Sequence, residues 1–140
     1  MRWICGLVLL VAVQAASAGL AEGFAAYERG DFTTALAEWQ PLAEQGHADA
    51  QLNLGYMYRN GKGVPQDYAQ ALKWFRKATE QGDASAQSSL GYMYGNGKGV
   101  PQDYAQAVKW YTKAAKQGDA SAQSSLGYMY DNGKGVPQDY

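Results

Sequence analysis

The sequence predicts an all-α fold, an α/α superhelical solenoid of helix hairpins. Three observations carry this. Pro65, Pro101 and Pro137 lie 36 residues apart, as do Tyr56, Tyr92 and Tyr128, and Ala84 to Tyr104 recurs at Ala120 to Tyr140 with Gly95 becoming Asp131. A period of this size belongs to architectures in which each unit buries its apolar face against its neighbours. Apolar residues within a unit recur at spacings of three and four, and sustained alternation of the strand type is absent.

The first segment stands apart from the repeats. Met1-Arg2 supplies a short positive start, Trp3 to Val13 is an unbroken apolar run of 11, and Gln14-Ala15-Ala16-Ser17-Ala18 ends in an Ala-x-Ala pattern. That is the layout of a secretory signal peptide over residues 1–18, cleaved after Ala18. A run of 11 falls short of the roughly 20 residues a membrane span needs, so no span is expected after cleavage. Cys5 lies far upstream of the cleavage point, which argues against a lipoprotein. Removing 18 of the 140 residues leaves 122 with no cysteine and 11 basic against 13 acidic residues, a charge of −2. The expected product is periplasmic or secreted, without disulfides.

The array is expected to fill residues 19–140: a short hairpin over 19–46, repeats at 47–82 and 83–118, and an incomplete repeat at 119–140. The first hairpin is read as helices over 20–29 and 32–45. The next pairs are 48–59 with 67–81 and 84–95 with 103–117, and a single helix follows over 120–131. In the second helix of a unit, Tyr104, Ala107, Val108, Tyr111 and Ala114 share one face, and Asp103 with Gln106 reads as a capping box. In the first helix, Ala86, Leu90, Met93 and Tyr94 form the apolar stripe, with Asp83 as N-cap and Asn96-Gly97 as the C-terminal stop. Val100-Pro101 bars helix until the next start. Gly55, Gly91 and Gly127 recur inside a helix, where Gly costs roughly 1 kcal/mol against Ala. Their common phase predicts close helix–helix approach.

The string Ala86-x-x-x-Leu90-Gly91-x-Met93-Tyr94-x-x-Gly97-x-Gly99-Val100-x-x-Asp103-x-x-x-Ala107-x-x-Trp110-x-x-x-Ala114-Ala115-x-x-Gly118 resembles the Sel-1-like repeat, a relative of the tetratricopeptide repeat with a longer Gly-rich loop inside the hairpin. The resemblance covers about residues 48 to 140. Phe24 to Phe32 leading into Ala35-Leu36-x-x-Trp39 fits more loosely, as a shorter tetratricopeptide-like hairpin. The resemblance implies a superhelix that acts as an adaptor or scaffold. Cysteine-rich relatives bind or hydrolyse β-lactams, but their cysteine pairs are missing here, so that activity does not carry over.

Residue chemistry gives no support to catalysis, a cofactor or a metal. His47 is the one histidine and sits at the phase of Asp83 and Asp119, a helix start, where a cap or surface role suits it. With no cysteine after position 18, a zinc site of nitrogen and sulfur ligands is excluded. Ser88-Ser89 and Ser124-Ser125 have no histidine at a matching phase to act as base. Gly95-Asn96-Gly97-Lys98-Gly99 lacks the glycine spacing and the Ser or Thr of a phosphate loop, and Asp131-Asn132-Gly133 lacks the oxygen ligands of a calcium loop. A formal charge of −1 argues against nucleic acid.

Function is therefore expected on the first helix of each hairpin, opposite the core stripe. The residues there are Asp49, Leu52 and Tyr56, then Ser85, Ser88 and Tyr92, then Ser121, Ser124 and Tyr128. In the related tetratricopeptide fold these positions line the concave surface. Tyrosine offers rigid amphipathic area and serine adaptable hydrogen bonds, suited to an extended peptide or to sugar rings. Packing against the adjacent hairpin would explain the tyrosines equally well. Trp74 and Trp110 are expected in core or inter-repeat packing, and Lys73, Lys77, Lys109 and Lys113 on the solvated side. Two classes of function remain open: a non-enzymatic protein–protein adaptor of the cell envelope, and a glycan- or peptidoglycan-associated module of a longer protein with weak hydrolase activity. A non-functional gene fragment is the third. The repeat ending at Gln138-Asp139-Tyr140 reads as a truncated chain; otherwise Leu126, Met129 and Tyr130 should pair end to end with another subunit or a partner.

Overall fold

A computed structural model of the chain describes residues 2–136. Met1, Pro137 and the expected helix start at 138–140 lie outside the described residues. The described residues form seven helices and no strand: α1 (Arg2–Glu28), α2 (Phe32–Glu44), α3 (Ala48–Asn60), α4 (Tyr68–Glu80), α5 (Ala84–Asn96), α6 (Tyr104–Lys116) and α7 (Ala120–Asp131). Each helix packs on its chain neighbours, and α5 also reaches α7, the contact pattern of stacked hairpins.

The caps show why the helices begin and end where they do. Asp31, Asp67, Asp83, Asp103 and Asp119 each accept a hydrogen bond from the backbone N–H three residues on, at 2.7–3.1 Å. His47 holds the N-cap position of α3 but makes no capping bond with its side chain. The expected capping box at Asp103 is only half present. The backbone N–H of Asp103 already donates to the Tyr94 carbonyl at 2.9 Å, so nothing is left for Gln106 to accept. Gly61 and Gly97 end α3 and α5 in the left-handed region, at φ of 64° and 61°.

The glycines inside α3 and α5 are each explained by an aromatic ring, and the one in α7 is not. A Cβ at Gly55 would lie 2.4 Å from the Phe75 ring, and one at Gly91 would lie 2.7 Å from the Tyr111 ring. Gly23 plays the same part against Trp39, at 2.1 Å, although it lies off the 36-residue phase. Trp39, Phe75 and Tyr111 are themselves 36 apart, whereas Gly23 precedes its ring by 16 residues and Gly55 and Gly91 precede theirs by 20. The shorter first hairpin accounts for that shift of four. Gly127 meets nothing within 4 Å.

The Gly-rich loops reach back over the preceding unit. A Cβ at Gly99, where φ is 70°, would strike the Tyr68 backbone at 2.9 Å, and Lys98 Nζ stands 5.3 Å from the centre of the Tyr68 ring. Three core clusters follow one another along the array. The first joins Trp39, Leu42, Leu54, Met57 and Trp74; the second joins Leu72, Phe75, Leu90 and Met93; the third joins Ala107, Tyr111, Ala114 and Met129. Trp74 thus belongs to the packing between hairpins, and Lys73 and Lys77 lie over its ring from the solvent side.

The N-terminal helix departs from expectation. Instead of a helix starting near residue 20, α1 runs without interruption through the expected cleavage point. Leu7 to Val11 are exposed, while Ala16 and Leu20 pack on the first core cluster. The stretch Gly6–Glu28, with a mean hydropathy of 1.7, has the length and composition to cross a membrane. The unbroken apolar run alone understates this length, because the small and apolar residues from Ala15 to Ala26 continue the helix.

Candidate functional site

A groove of about 500 Å³ runs along the first helices of successive hairpins. Tyr27 of α1, Asn53, Tyr56 and Arg59 of α3, Ser85, Ser88 and Tyr92 of α5, and Ser121 and Ser125 of α7 line it, with Trp39 and Tyr111 reaching it from second helices. A second hollow of about 450 Å³, which shares Tyr92, Tyr111 and Ser125 with the first, is lined by Ser124, Tyr128 and Lys134. Of the nine residues expected to form the binding face, Tyr56, Ser85, Ser88, Tyr92 and Ser121 line the groove, and Ser124 and Tyr128 line the hollow beside it. Asp49 and Leu52 line neither. Leu52 packs instead against the second core cluster, which includes Leu72 and Phe75 of α4, as its apolar side chain favours. Asp49 is exposed.

The three tyrosines are not equivalent. Tyr56 is half-buried, edge-on to Phe75 at 5.4 Å between ring centres. Its hydroxyl is hydrogen-bonded to Ser89 Oγ of the next unit at 3.3 Å. Tyr92 and Tyr128 are 41% and 55% exposed, so the ladder opens toward α7. The Tyr128 hydroxyl accepts from Lys134 Nζ at 3.0 Å, which holds the Lys134 ammonium above its usual pKa. Burial pushes the Tyr111 phenol up, opposed by a hydrogen bond with Ser125.

Two groove residues carry donors that the sequence analysis did not single out. Arg59 lies with its guanidinium carbon 4.9 Å from the centre of the Tyr56 ring and 5.5 Å from that of Tyr92, bridging two units by cation–π contact. Asn53 is 8% exposed and its Nδ2 has no acceptor, an arrangement that costs about 1–3 kcal/mol when nothing fills it. The signal for both was available as breaks in the period: Asn53 stands where Ser89 and Ser125 stand, and Arg59 where Gly95 and Asp131 stand. Between the first two full units, the first helices differ at four phases (49/85, 52/88, 53/89 and 59/95). Each of these places at least one residue in the groove or the adjoining hollow.

Among the described residues no group of three or more His, Cys, Asp or Glu is gathered for a metal ion. The groove lining offers hydroxyls, amides, aromatic faces, one guanidinium and the Asp119 carboxylate, a set suited to holding a ligand by hydrogen bonds and stacking.

Comparison with known proteins agrees with this architecture. The chain superposes on a protective antigen present in uropathogenic Escherichia coli strains, displaying an SLR fold, with a TM-score of 0.81 and 41% identity over 88% of the chain. It superposes on a Sel1 repeat protein from Oxalobacter formigenes with a TM-score of 0.80 and 36% identity over 86%. The chain spans 27% and 49% of the length of those two proteins. A search of curated proteins finds no match. The Sel1 repeat profile matches residues 48–83, 84–119 and 120–140, so the chain belongs to the Sel1 repeat family.

Proposed function

We propose that the chain is a non-enzymatic protein-interaction scaffold of the cell envelope, which holds an extended segment of a partner protein in the groove along α1, α3, α5 and α7. The groove itself carries this reading: it is continuous across hairpins, and its wall presents the exposed Tyr92 and Ser121 beside the half-buried Ser85, Ser88 and Ser125. Sel1 repeats commonly serve as protein-interaction modules, which favours a protein over a glycan as occupant. Export follows from the apolar start of α1, with cleavage after Ala18. Cleavage removes Ala16 from the first core cluster, and the remaining part of α1 keeps Gly23, Ala26 and Tyr27, and Leu20, whose carbonyl accepts from Trp39 Nε1 at 3.4 Å.

Photo-crosslinking in the exporting cell tests the reading. A photoreactive residue at Tyr92 should capture one defined protein that the same residue at Lys73 does not. Capture of wall glycan from Tyr92, or equal capture from both positions, contradicts it.

A further inference from the structure

We propose that the stretch of the groove lined by Asn53 and Arg59 is a subsite for an acidic side chain of an extended peptide that passes through it. The inference rests on the peptide-groove reading and adds the chemistry that the groove selects. Arg59 is held between the rings of Tyr56 and Tyr92, so its side chain is fixed before any ligand arrives. Its Nε donates to Asn60 Oδ1 at 3.3 Å, and among the described residues no carboxylate lies within ion-pair distance of it.

Asn53 adds a second polar group: the residue lines the same groove, and its Nδ2 is buried without an acceptor. A guanidinium with no carboxylate partner matches a group with acceptor oxygens and one negative charge, which is a carboxylate. The Asn53 amide along the same groove adds a donor once a ligand opens access to it. Asp119 is the one carboxylate in the groove lining, and it is engaged by its own helix, accepting from the Ala122 N–H at 2.7 Å. The repeat pattern localises the subsite, because Ser and Gly replace Asn53 and Arg59 at the same phases of the next unit. The groove continues past Arg59 on both sides, toward Tyr27 in one direction and Ser121 in the other. A chain lying there runs through, which favours an internal Asp or Glu over a terminal carboxylate.

The test is selection of a random peptide library, tethered at both ends of the random segment, against the full chain and against Arg59→Gln and Asn53→Ser. Serine already fills the latter phase at Ser89 and Ser125, so Asn53→Ser is compatible with the fold. Circular dichroism checks both variants. Binders of the parent chain should share an Asp or Glu at one fixed position. Their affinity should fall about 10- to 100-fold with Arg59→Gln, and the shared acidic position should vanish when selection is repeated on that variant. Asn53→Ser should weaken them several-fold.

Binders without a fixed acidic position, or with the same one on both parent and Arg59→Gln, overturn the subsite and leave the groove reading intact. Acidic preference that appears only in a second library with a free carboxyl terminus also overturns it, in favour of terminal recognition. Binders unaffected by a groove-filling Ser88→Trp, or none at all, overturn the groove reading and the subsite with it.

Discussion

Gly91 and Gly127 share one phase of the repeat but have opposite surroundings, and their substitutions should separate accordingly. Gly91→Ala places a methyl 2.7 Å from the Tyr111 ring, an overpacking of about 1–3 kcal/mol that exceeds the helix-propensity gain of about 1 kcal/mol. Gly127→Ala meets open space and keeps only the gain. Urea denaturation of the full chain should show the first less stable than the parent and the second more stable by up to about 1 kcal/mol. Gly55 and Gly91 were legible as close-approach positions from their common phase, whereas Gly127 shares the phase without the approach. Gly23 was not, because the shorter first hairpin moves it off that phase. Tyr111 gives a second test at this scale. Burial raises its pKa above the ordinary 10.0, so folding favours the neutral phenol. The stability this contributes is full below pH 10 and is lost as pH rises from there toward the folded-state value. Tyr111→Phe, the residue that Phe75 already supplies at this phase, should therefore lose less stability than the parent between about pH 8 and about pH 11 in paired urea titrations.

At the scale of elements, what joins one hairpin to the next is a glutamine clasp. Gln81 Nε2 donates to the Gly46 carbonyl at 2.7 Å and to Gln51 Oε1 at 3.0 Å. Gln117 repeats the pair on Gly82 and Gln87, both at 2.9 Å. Each glutamine follows a second helix and grips the turn of the unit before it. Gln117→Ala should cost about 1–3 kcal/mol, since it removes two bonds and leaves the largely buried Gln87 with one fewer partner. Amide exchange should then quicken in α6 and α7 before α3 and α4. Helix positions were legible because caps and stops are local: Asp83, Asp103 and Gly97 act within a few residues of themselves. The clasp was not, although Gln45, Gln81 and Gln117 recur in phase, because its bonds span 30 and 35 residues and no local pattern distinguishes them from solvated side chains. The length of α1 was missed for a related reason. A cleavage pattern such as Ala16-Ser17-Ala18 does not stop a helix, and alanine favours it.

At the scale of the molecule, the period turns a set of hairpins into one continuous array, and the groove runs across successive units of it, lined by tyrosines and serines. Its general position was legible from the face opposite the core stripe, which placed seven of nine residues in it or beside it. Leu52 fell outside because its apolar side chain joins the second core cluster, and Asp49 is exposed but lines neither hollow. Export is a separate expectation at this scale: intact mass of the protein recovered outside the cytoplasm should begin at Gly19, and a mass that retains α1 in full would show an anchored chain. The central claim is that ligand enters along the first helices. The measurement that bears on it most directly is NMR shift mapping with the peptide segment captured from Tyr92. Perturbations confined to Tyr56, Arg59, Ser85, Ser88, Tyr92 and Ser121 are the expected result. Perturbations centred on Lys73, Lys77, Lys109 and Lys113, with the groove silent, would contradict it.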